Sequence, residues 1–435
     1  MTSRDWEQAN AMGKRVRRWT SRQVKALMIG LTVLGLVLGV GWLQGTYAAK
    51  DEGGPLTPEK VFPASSKCKK CHIRAFEEYE ESIVARAIVT PTFRAMLEDY
   101  AGKGKDKRYC LNCHAPQSVV FPDLADSMVK QIISGDPTFE GVGCIQCHLI
   151  KAVEPNVKGH PPIKLEPGRT VFGGYKDFLE SKAHESQFVD IFKKSDLCLS
   201  CHTIAPPGVP GAEAVGNWKG SKAAKDGKTC QTCHMPQGFD SSANEEKKRD
   251  IAGHEFNGKS PALRKQAFDL DYETEVQGAK TKLIVKVKNL VPHNVPTTHP
   301  IWNQVYLQVS IRGLNLKEVF KEKRIYGRTF ADAKGNKTLM DHDAVKLIED
   351  TVLKAEETRV ESFAFQTPEG TPSFDVEISL HYATPGDLWL EAFAKRVASF
   401  TPRGMTDPVF KSSEISKHCG NTKVAEGKLK KLPCP

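Results

Sequence analysis

Ten of the twelve cysteines lie in five copies of one short pattern, Cys-x-x-Cys-His. The cysteines are Cys68, Cys71, Cys110, Cys113, Cys144, Cys147, Cys198, Cys201, Cys230 and Cys233, and the histidines are His72, His114, His148, His202 and His234. Two thiols three positions apart fall on one side of a helical turn, where each can form a thioether with one vinyl group of a haem. The next residue, histidine, can then bind the iron as its proximal ligand.

Zinc sites and thioredoxin-like redox pairs also use two cysteines at this spacing. A zinc site does not require a histidine directly after every pair, and a redox enzyme does not need five copies. We therefore expect five covalently attached haem c groups. So many cofactors in one segment should supply much of its core, because the segment buries little apolar surface without them.

The charge of the chain does not favour a nucleic-acid partner. The 62 basic and 52 acidic side chains give a net charge of +10. Residues 1–25 hold seven basic and two acidic residues, so half of the excess lies in the first 25 positions. No long basic block occurs in the remainder, as nucleic-acid binding would require.

An uncharged run of eighteen residues, 26–43, follows this basic tail. It is long enough for a transmembrane helix, which we predict over residues 26–44. The basic residues would stay in the cytoplasm, so the protein would be a single-pass inner-membrane protein with its bulk in the periplasm or extracytoplasmic space. A cleaved signal peptide is the alternative, and it also exports the chain.

The remaining pattern predicts a multidomain chain with a mainly α multihaem cytochrome c domain and a C-terminal antiparallel β-sandwich. Apolar residues alternate with polar ones at 283–287, 305–311 and 374–382, as in half-buried strands. The expected segments are a cytoplasmic tail (1–25), the membrane helix (26–44), a tether (45–64), the pentahaem domain (65–265), the sandwich (266–400) and a C-terminal tail (401–435).

Two cysteines in the tail, Cys419 and Cys434, lack a following histidine. In an oxidising compartment they could form a disulfide, and two free thiols are the alternative.

A degenerate repeat, in which an aromatic residue is followed by two other residues and then serine, occurs three times, at 79–82, 178–181 and 218–221. The residue three positions after each serine is Ala85, His184 or Ala224. Only the middle copy supplies a candidate iron ligand.

Three segments carry a family resemblance. Residues 227–236 read Gly-Lys-Thr-Cys-Gln-Thr-Cys-His-Met-Pro, residues 254–258 read His-Glu-Phe-Asn-Gly, and residues 292–297 read Pro-His-Asn-Val-Pro-Thr. With the aromatic-x-x-Ser repeat they resemble the tetrahaem electron carriers that serve hydroxylamine oxidoreductase, and multihaem relatives with an appended β domain. The resemblance covers residues 65 to about 390. The chain departs from it at Val84, where the family often has histidine, and at Pro292, where glycine is usual.

Five histidines outside the attachment motifs are candidate sixth ligands. His184 follows the repeat serine, and the resemblance implies ligand roles for His254 and His293. His160 and His299 complete the candidates. We expect three or four haems with two histidine ligands, and one iron that is five-coordinate or bound by another group.

The other candidate ligands have simpler interpretations. His342, His381 and His418 are expected to be solvent-exposed, and Met96, Met128 and Met235 are more typical of core fillers than of axial ligands.

The leading functional hypothesis is an electron carrier without catalytic residues, acting between a quinol-linked or respiratory-complex donor at the membrane and periplasmic redox proteins. A small-molecule oxidoreductase at a five-coordinate haem, acting on a nitrogen or sulfur oxyanion, is the alternative. The chain could also be a subunit of a larger respiratory complex.

Overall fold

The computed structural model describes residues 56–154, 163–203, 209, 215–244, 247–256, 261–297, 303–313, 317–367, 373–383, 413–425 and 428–430. The first half of this range is built from short helices. They are α1 (Pro58–Val61), α2 (Ile73–Glu81), α3 (Pro91–Gly102), α4 (Arg108–His114), α5 (Gln117–Val120), α6 (Ala125–Ser134), α7 (Cys144–His148), α8 (Asp196–His202), α9 (Lys222–Lys225), α10 (Cys230–His234) and α11 (Pro261–Gln266). Single 3-10 turns at Ser65–Lys70, Pro122–Leu124, Asp190–Lys193 and Gly216–Gly220 connect them.

Three small two-stranded sheets lie among these helices. They pair β1 (Ile150–Val153) with β2 (Ile163–Leu165), β3 (Thr170–Gly173) with β4 (Glu185–Phe188), and β5 (Gln237–Asp240) with β6 (Arg249–Ala252). The prediction of a mainly α domain was therefore wrong. Strands of three or four residues are too short to show an alternating pattern, so the sequence did not reveal them.

The longest helices around the second motif share a small apolar core. Thr90 begins α3 because its side-chain oxygen accepts a hydrogen bond from the Phe93 N–H, and Pro91 occupies the first position. Helix α6 ends at Gly135, whose φ of 74° suits glycine. The buried residues of this cluster are Ile88, Phe93, Leu97, Leu111, Ala115, Met128, Val129 and Ile132. Met128 is thus a core residue, as predicted.

The second half of the chain is β-rich. Its strands are β7 (Phe268–Gln277), β8 (Lys280–Asn289), β9 (Gln304–Arg312), β10 (Glu318–Tyr326), β11 (Arg328–Ala331), β12 (Lys337–Thr338), β13 (Lys346–Asp350), β14 (Thr358–Gln366), β15 (Ser373–Ala383), β16 (Ser413–Ala425) and β17 (Lys428–Lys430). Eight of them form one antiparallel sheet in the order β10-β9-β15-β16-β17-β7-β8-β14, and β12-β11-β13 form a smaller sheet. The alternation predicted at 283–287, 305–311 and 374–382 is confirmed in β8, β9 and β15, whose apolar residues face one core.

The predicted antiparallel β-sandwich (266–400) is replaced in the structure by one continuous eight-stranded sheet. Buried residues of β7, β8 and β14 belong to the same core cluster as those of β9 and β15, so the two halves of the sheet enclose one core. Yet β17 pairs with both β16 and β7, which joins the halves into a single sheet. An alternating pattern identifies the buried face of a strand but does not identify its neighbours.

The fold-class prediction also included a transmembrane helix. Among the described residues, the structure contains no helix with the length and apolar character needed to cross a bilayer. The segment predicted to span, 26–44, lies outside the described residues, as does Cys434, so the disulfide remains a prediction.

Leu307 provides a test of the β core, because it is completely buried on β9. Truncating a buried leucine to alanine removes apolar contacts and leaves a cavity, so Leu307→Ala should lower the free energy of unfolding by about 2–5 kcal/mol. Leu290→Ala is the matched control, since Leu290 is 46% exposed. Denaturant unfolding measures both changes, and equal losses would contradict the described core.

Candidate functional site

Each attachment motif is one turn of helix. The second to fifth motifs lie in α4, α7, α8 and α10, and each of these helices ends at the motif histidine. The first motif begins in the 3-10 helix Ser65–Lys70, and His72 directly precedes α2. This geometry places the two cysteines of a motif on the same side of the turn, as attachment to one porphyrin requires.

A serine that precedes one motif accepts a hydrogen bond from the first cysteine of another motif. The Cys144 N–H donates to Oγ of Ser65, 3.0 Å away, and the Cys230 N–H donates to Oγ of Ser195 at 3.1 Å. Each serine stands three residues before the first cysteine of its own motif. The same contact therefore links the first motif with the third and the fourth motif with the fifth.

The proximal histidines are oriented through their Nδ1 atoms. Nδ1 of His72 lies 2.6 Å from the carbonyl oxygen of Ser242. Nδ1 of His114 lies 2.7 Å from the carbonyl oxygen of Ala87, and Nδ1 of His148 lies 2.7 Å from that of Phe172. A hydrogen bond from Nδ1 fixes the tautomer and leaves Nε2 as the metal-binding nitrogen.

Three motif histidines face a second histidine from a distant part of the chain. The ring centroids are separated by 6.1 Å in His72–His184, 6.4 Å in His148–His254 and 6.4 Å in His234–His293. The angles between the ring planes are 24°, 25° and 24°. The sequence-predicted sixth ligands His184, His254 and His293 thus lie opposite three different motifs.

The spacing of these pairs fits an iron between them. An imidazole nitrogen binds a metal ion at about 2 Å, so two imidazoles on opposite sides of one ion have ring centres roughly 6 Å apart. Direct stacking would bring the rings closer, as in the 4.0 Å contact of Phe93 with His114. The three pairs therefore have the separation of axial ligands rather than that of packed rings.

The loop that carries His293 is fixed from within the β core. Asn289, at the end of β8, is fully buried, and its side-chain amide donates to the His293 carbonyl at 3.0 Å and to the Lys354 carbonyl at 2.8 Å. Asn294 exchanges hydrogen bonds with Asn217 of the haem-attachment region. These contacts hold the His293 imidazole against the fifth motif.

A close backbone approach positions His254. A Cβ atom on the preceding residue, Gly253, would lie 2.9 Å from the Pro236 carbonyl oxygen. Only glycine allows this approach without a shift, and it brings His254 next to the strand that follows the fifth motif. The Glu78 carboxylate accepts the His254 N–H at 2.7 Å and ties the loop to α2.

Burial favours the neutral form of four of the paired imidazoles. It lowers the pKa of His148 and the pKa of His293 to about 4 in each case, and it also lowers the pKa of His234 and of His254. The neutral imidazole, with a free electron pair on one nitrogen, is the form that binds a metal.

The attachment motifs contact one another through their cysteines. The Cys68 thiol interacts with that of Cys144, joining the first motif to the third. In the same way the thiols of the fourth motif interact with two others: Cys201 with Cys113 of the second motif, and Cys198 with Cys230 of the fifth. Cys147 interacts electrostatically with Cys201, so the fourth motif borders the second, third and fifth.

A cavity of about 2220 Å³ runs between the motifs. Both cysteines of the first four motifs line it, together with His72, His114, His148, His202, His184 and His254, and Thr229, Gln231 and Thr232 represent the fifth. Single-ligand pockets have volumes of roughly 300–1,000 Å³, so this space is suited to several large cofactors. The residues present therefore fit haem c, and Met96 and Met235 line the same cavity.

Two candidate ligands fall outside the described residues, His160 and His299, and their assignments remain predictions. The second motif's His114 stacks on Phe93, and the fourth motif's His202 is exposed. His418 lies in β16, where no side chain is described.

The aromatic-x-x-Ser repeat has a structural role. Ser82 Oγ accepts a hydrogen bond from the Ala85 N–H, and Ser221 Oγ accepts one from the Ala224 N–H. In the middle copy Ser181 Oγ accepts from the Ala183 N–H, directly before His184. The serine begins a turn in each copy, and the middle turn presents the ligand.

His342 was predicted to be solvent-exposed, and that prediction was wrong. Its side chain is only 4% exposed and lies 3.0 Å from Asp99 of α3, in the wall of the cavity. The sequence contains no signal for this position, because a turn of the β-rich half places His342 against a helix more than two hundred residues earlier. His381 instead stacks on Tyr306 outside the core cluster.

Comparisons with known proteins agree with this geometry. Residues 67–149 match the family described as Cytochrome c554 and c-prime. The structure is similar to that of a penta-heme cytochrome c552 from Thermochromatium tepidum, with a TM-score of 0.61 and 21% sequence identity over 81% of this chain and 98% of the other. No curated protein matches the sequence. The motifs, the family match and the shared fold support a multihaem c-type cytochrome with an electron-transfer role.

Gly141 tests the packing around the second motif. A Cβ atom there would lie 2.5 Å from the His114 carbonyl oxygen and 2.7 Å from Ile88. Gly141→Ala should therefore displace the segment that holds His114 and cost about 1–3 kcal/mol of stability. Thermal unfolding measures the loss, and Gly168→Ala is the control because a Cβ atom at Gly168 would meet nothing within 4 Å. An unaffected Gly141→Ala protein would contradict the described approach.

His293→Ala tests the pairing of the β-rich half with the fifth motif. Removing one of two imidazole ligands should convert one haem from low-spin to high-spin iron, which electron paramagnetic resonance detects. His381→Ala removes a histidine of the β-rich half that stacks on Tyr306, and it should leave the spectrum unchanged. An entirely low-spin spectrum for His293→Ala would exclude the assignment.

Proposed function

We propose that the chain is a pentahaem electron carrier that passes electrons between a quinol-linked or respiratory-complex donor and periplasmic redox proteins. The observation that carries the proposal is the contact of every attachment motif with at least one other. Electrons could pass from the first motif through the third to the fourth, and from there to the second or the fifth.

The residues around the site would favour electron transfer by keeping the structural reorganisation that accompanies it small. Bound haem supplies the one-electron oxidation and reduction of iron. Paired histidines such as His72 and His184 would hold the iron between them, and the contact of His72 Nδ1 with the Ser242 carbonyl fixes the orientation of that ring. Burial lowers the pKa of His148 and of His293 to about 4, so both imidazoles would stay neutral and in place while the iron changes its charge.

The motifs also support the proposed location. Thioether bonds retain a cofactor that could otherwise diffuse away from a protein outside the cytoplasm. We therefore propose that the chain acts in the periplasm or another extracytoplasmic space, with redox proteins as its partners and a place in a larger respiratory complex as one form of partnership.

The fourth motif is the branch point of the proposed path, which makes it the sharpest place to test. Replacing Cys198 and Cys201 together by alanine should leave four haems in three separate groups: the first with the third, the second alone, and the fifth alone. Stopped-flow reduction should then show more than one population of haem, whereas the unaltered protein should carry five haems that equilibrate in one phase.

The matched control replaces Cys68 and Cys71 by alanine. It also removes one haem, but at an end of the path, so the remaining four should still equilibrate together. Haem content is counted as the pyridine haemochrome. Fewer than five haems in the unaltered protein, or single-phase reduction without the fourth motif, would overturn the proposal.

A further inference from the structure

A cluster of charged side chains around one buried histidine lies beside the second motif. Its centre is His342, in the 3-10 turn Asp341–Asp343 between β12 and β13. Asp99 and Tyr100 of α3 face it, as does Lys103 directly after that helix, and Tyr100 contacts the ring edge-on at 5.0 Å. Lys105 donates to the His342 carbonyl at 2.7 Å.

The Nε2 atom of His342 has a partner for either protonation state. The Lys103 ammonium, which is a donor, lies 3.2 Å from Nε2, and the Asp99 carboxylate, which is an acceptor, lies 3.0 Å from it. Without a proton Nε2 accepts from Lys103, and with a proton it donates to Asp99. Nε2 therefore has a hydrogen-bond partner in both states, so it can gain or lose a proton with little structural change.

The charges of the cluster balance when His342 is neutral. Asp99 and Asp343 contribute two negative charges, and Lys103 and Lys105 contribute two positive ones. Burial and Lys103 lower the pKa of His342, while Asp343 and Asp99 act in the opposite direction. Because the net effect lowers the pKa, His342 is neutral at neutral pH, and a negative charge added nearby would raise the pKa and favour the protonated form.

The cluster is not arranged as a metal site. Asp99, His342 and Asp343 place their ligand atoms close together. However, the Lys103 ammonium lies 2.7 Å from Asp99 and 2.6 Å from Asp343, in the position that a cation would take.

Three observations place the cluster close to the second motif. Tyr100 packs against Tyr109 at 5.6 Å, and Tyr109 directly precedes Cys110. Asp341 acts electrostatically on both Tyr109 and Cys110. His342 and Asp341 also line the cavity together with Cys113 and His114. Charge added at this motif would be felt at His342, because a protein interior screens charge far less than water does.

We propose that Nε2 of His342 takes up one proton when the haem at Cys110 and Cys113 is reduced, and releases it on oxidation. One electron arrives from the donor, one proton arrives from solvent, and no other bond is made or broken. This inference rests on the proposed function, since it needs a haem at the second motif. The electron carrier would then bind a proton at a defined place in step with one of its haems.

The test measures midpoint potentials of the haems against pH. A tenfold change in proton activity corresponds to about 59 mV for a one-electron couple. One haem of the unaltered protein should therefore fall in potential by up to about 59 mV per pH unit near neutrality. His342→Gln keeps a polar side chain of similar size and should make that potential independent of pH over the same range, and His381→Gln should leave the dependence unchanged.

Two neighbouring variants should move the pH dependence in opposite directions. Asp99→Asn removes a negative charge, which lowers the pKa of His342 and shifts the dependent range to lower pH. Lys103→Gln removes a positive charge and shifts the range to higher pH. These variants keep His342, so they test the inference even if His342→Gln folds poorly.

Proton uptake on full reduction, followed in weakly buffered solution, is the second measurement. The unaltered protein should take up as much as one proton more than His342→Gln. An unchanged pH dependence in His342→Gln, or shifts of the same sign in Asp99→Asn and Lys103→Gln, would overturn the inference. A haemochrome count accompanies each variant: a missing haem at the second motif would overturn the proposed function, whereas five haems with no role for His342 would overturn only the inference.

Discussion

The facing of a motif histidine by a second imidazole from a distant segment is the interaction on which the rest of this structure depends. A Cys-x-x-Cys-His motif would attach a haem and supply one iron ligand, and all three of these side chains lie within five consecutive residues. The opposite imidazole comes from far along the chain, as with His184 facing His72 and His293 facing His234. Each pair therefore closes a long loop, and the short helices and strands between the motifs serve to bring its two ends together.

This constraint explains why the two halves of the protein look so different. The β-rich half has a core of its own, in which Leu307 and Val285 are completely buried. The described part of the motif-bearing half has a small apolar cluster near the second motif and a large cavity between the motifs. Its elements are too short to be stable without partners, so the paired histidines, the serine contacts between motifs and the β-rich half contribute to holding it together.

The parts of the site that could be predicted from sequence are those with local rules. The attachment cysteines follow from spacing alone, and His184 follows from a local repeat whose serine begins a turn. The alternation in β8, β9 and β15 likewise follows from a strand's own residues. The neighbours of those strands and the three- and four-residue strands of the first half do not, because pairing depends on segments far apart in sequence.

His342 shows the limit of that reasoning most clearly. Its own sequence, Asp-His-Asp in a turn, is typical of a solvated surface, yet docking against α3 buries it between Asp99 and Lys103. A buried polar group must be satisfied, and here the partners come from both halves of the chain. The contact that joins the β-rich half to the second motif is thus made of titratable groups, whereas at the fifth motif it is made by His293, whose ring faces His234. Displacing the β-rich half would therefore change the charges around the second motif and the imidazole facing the fifth motif together.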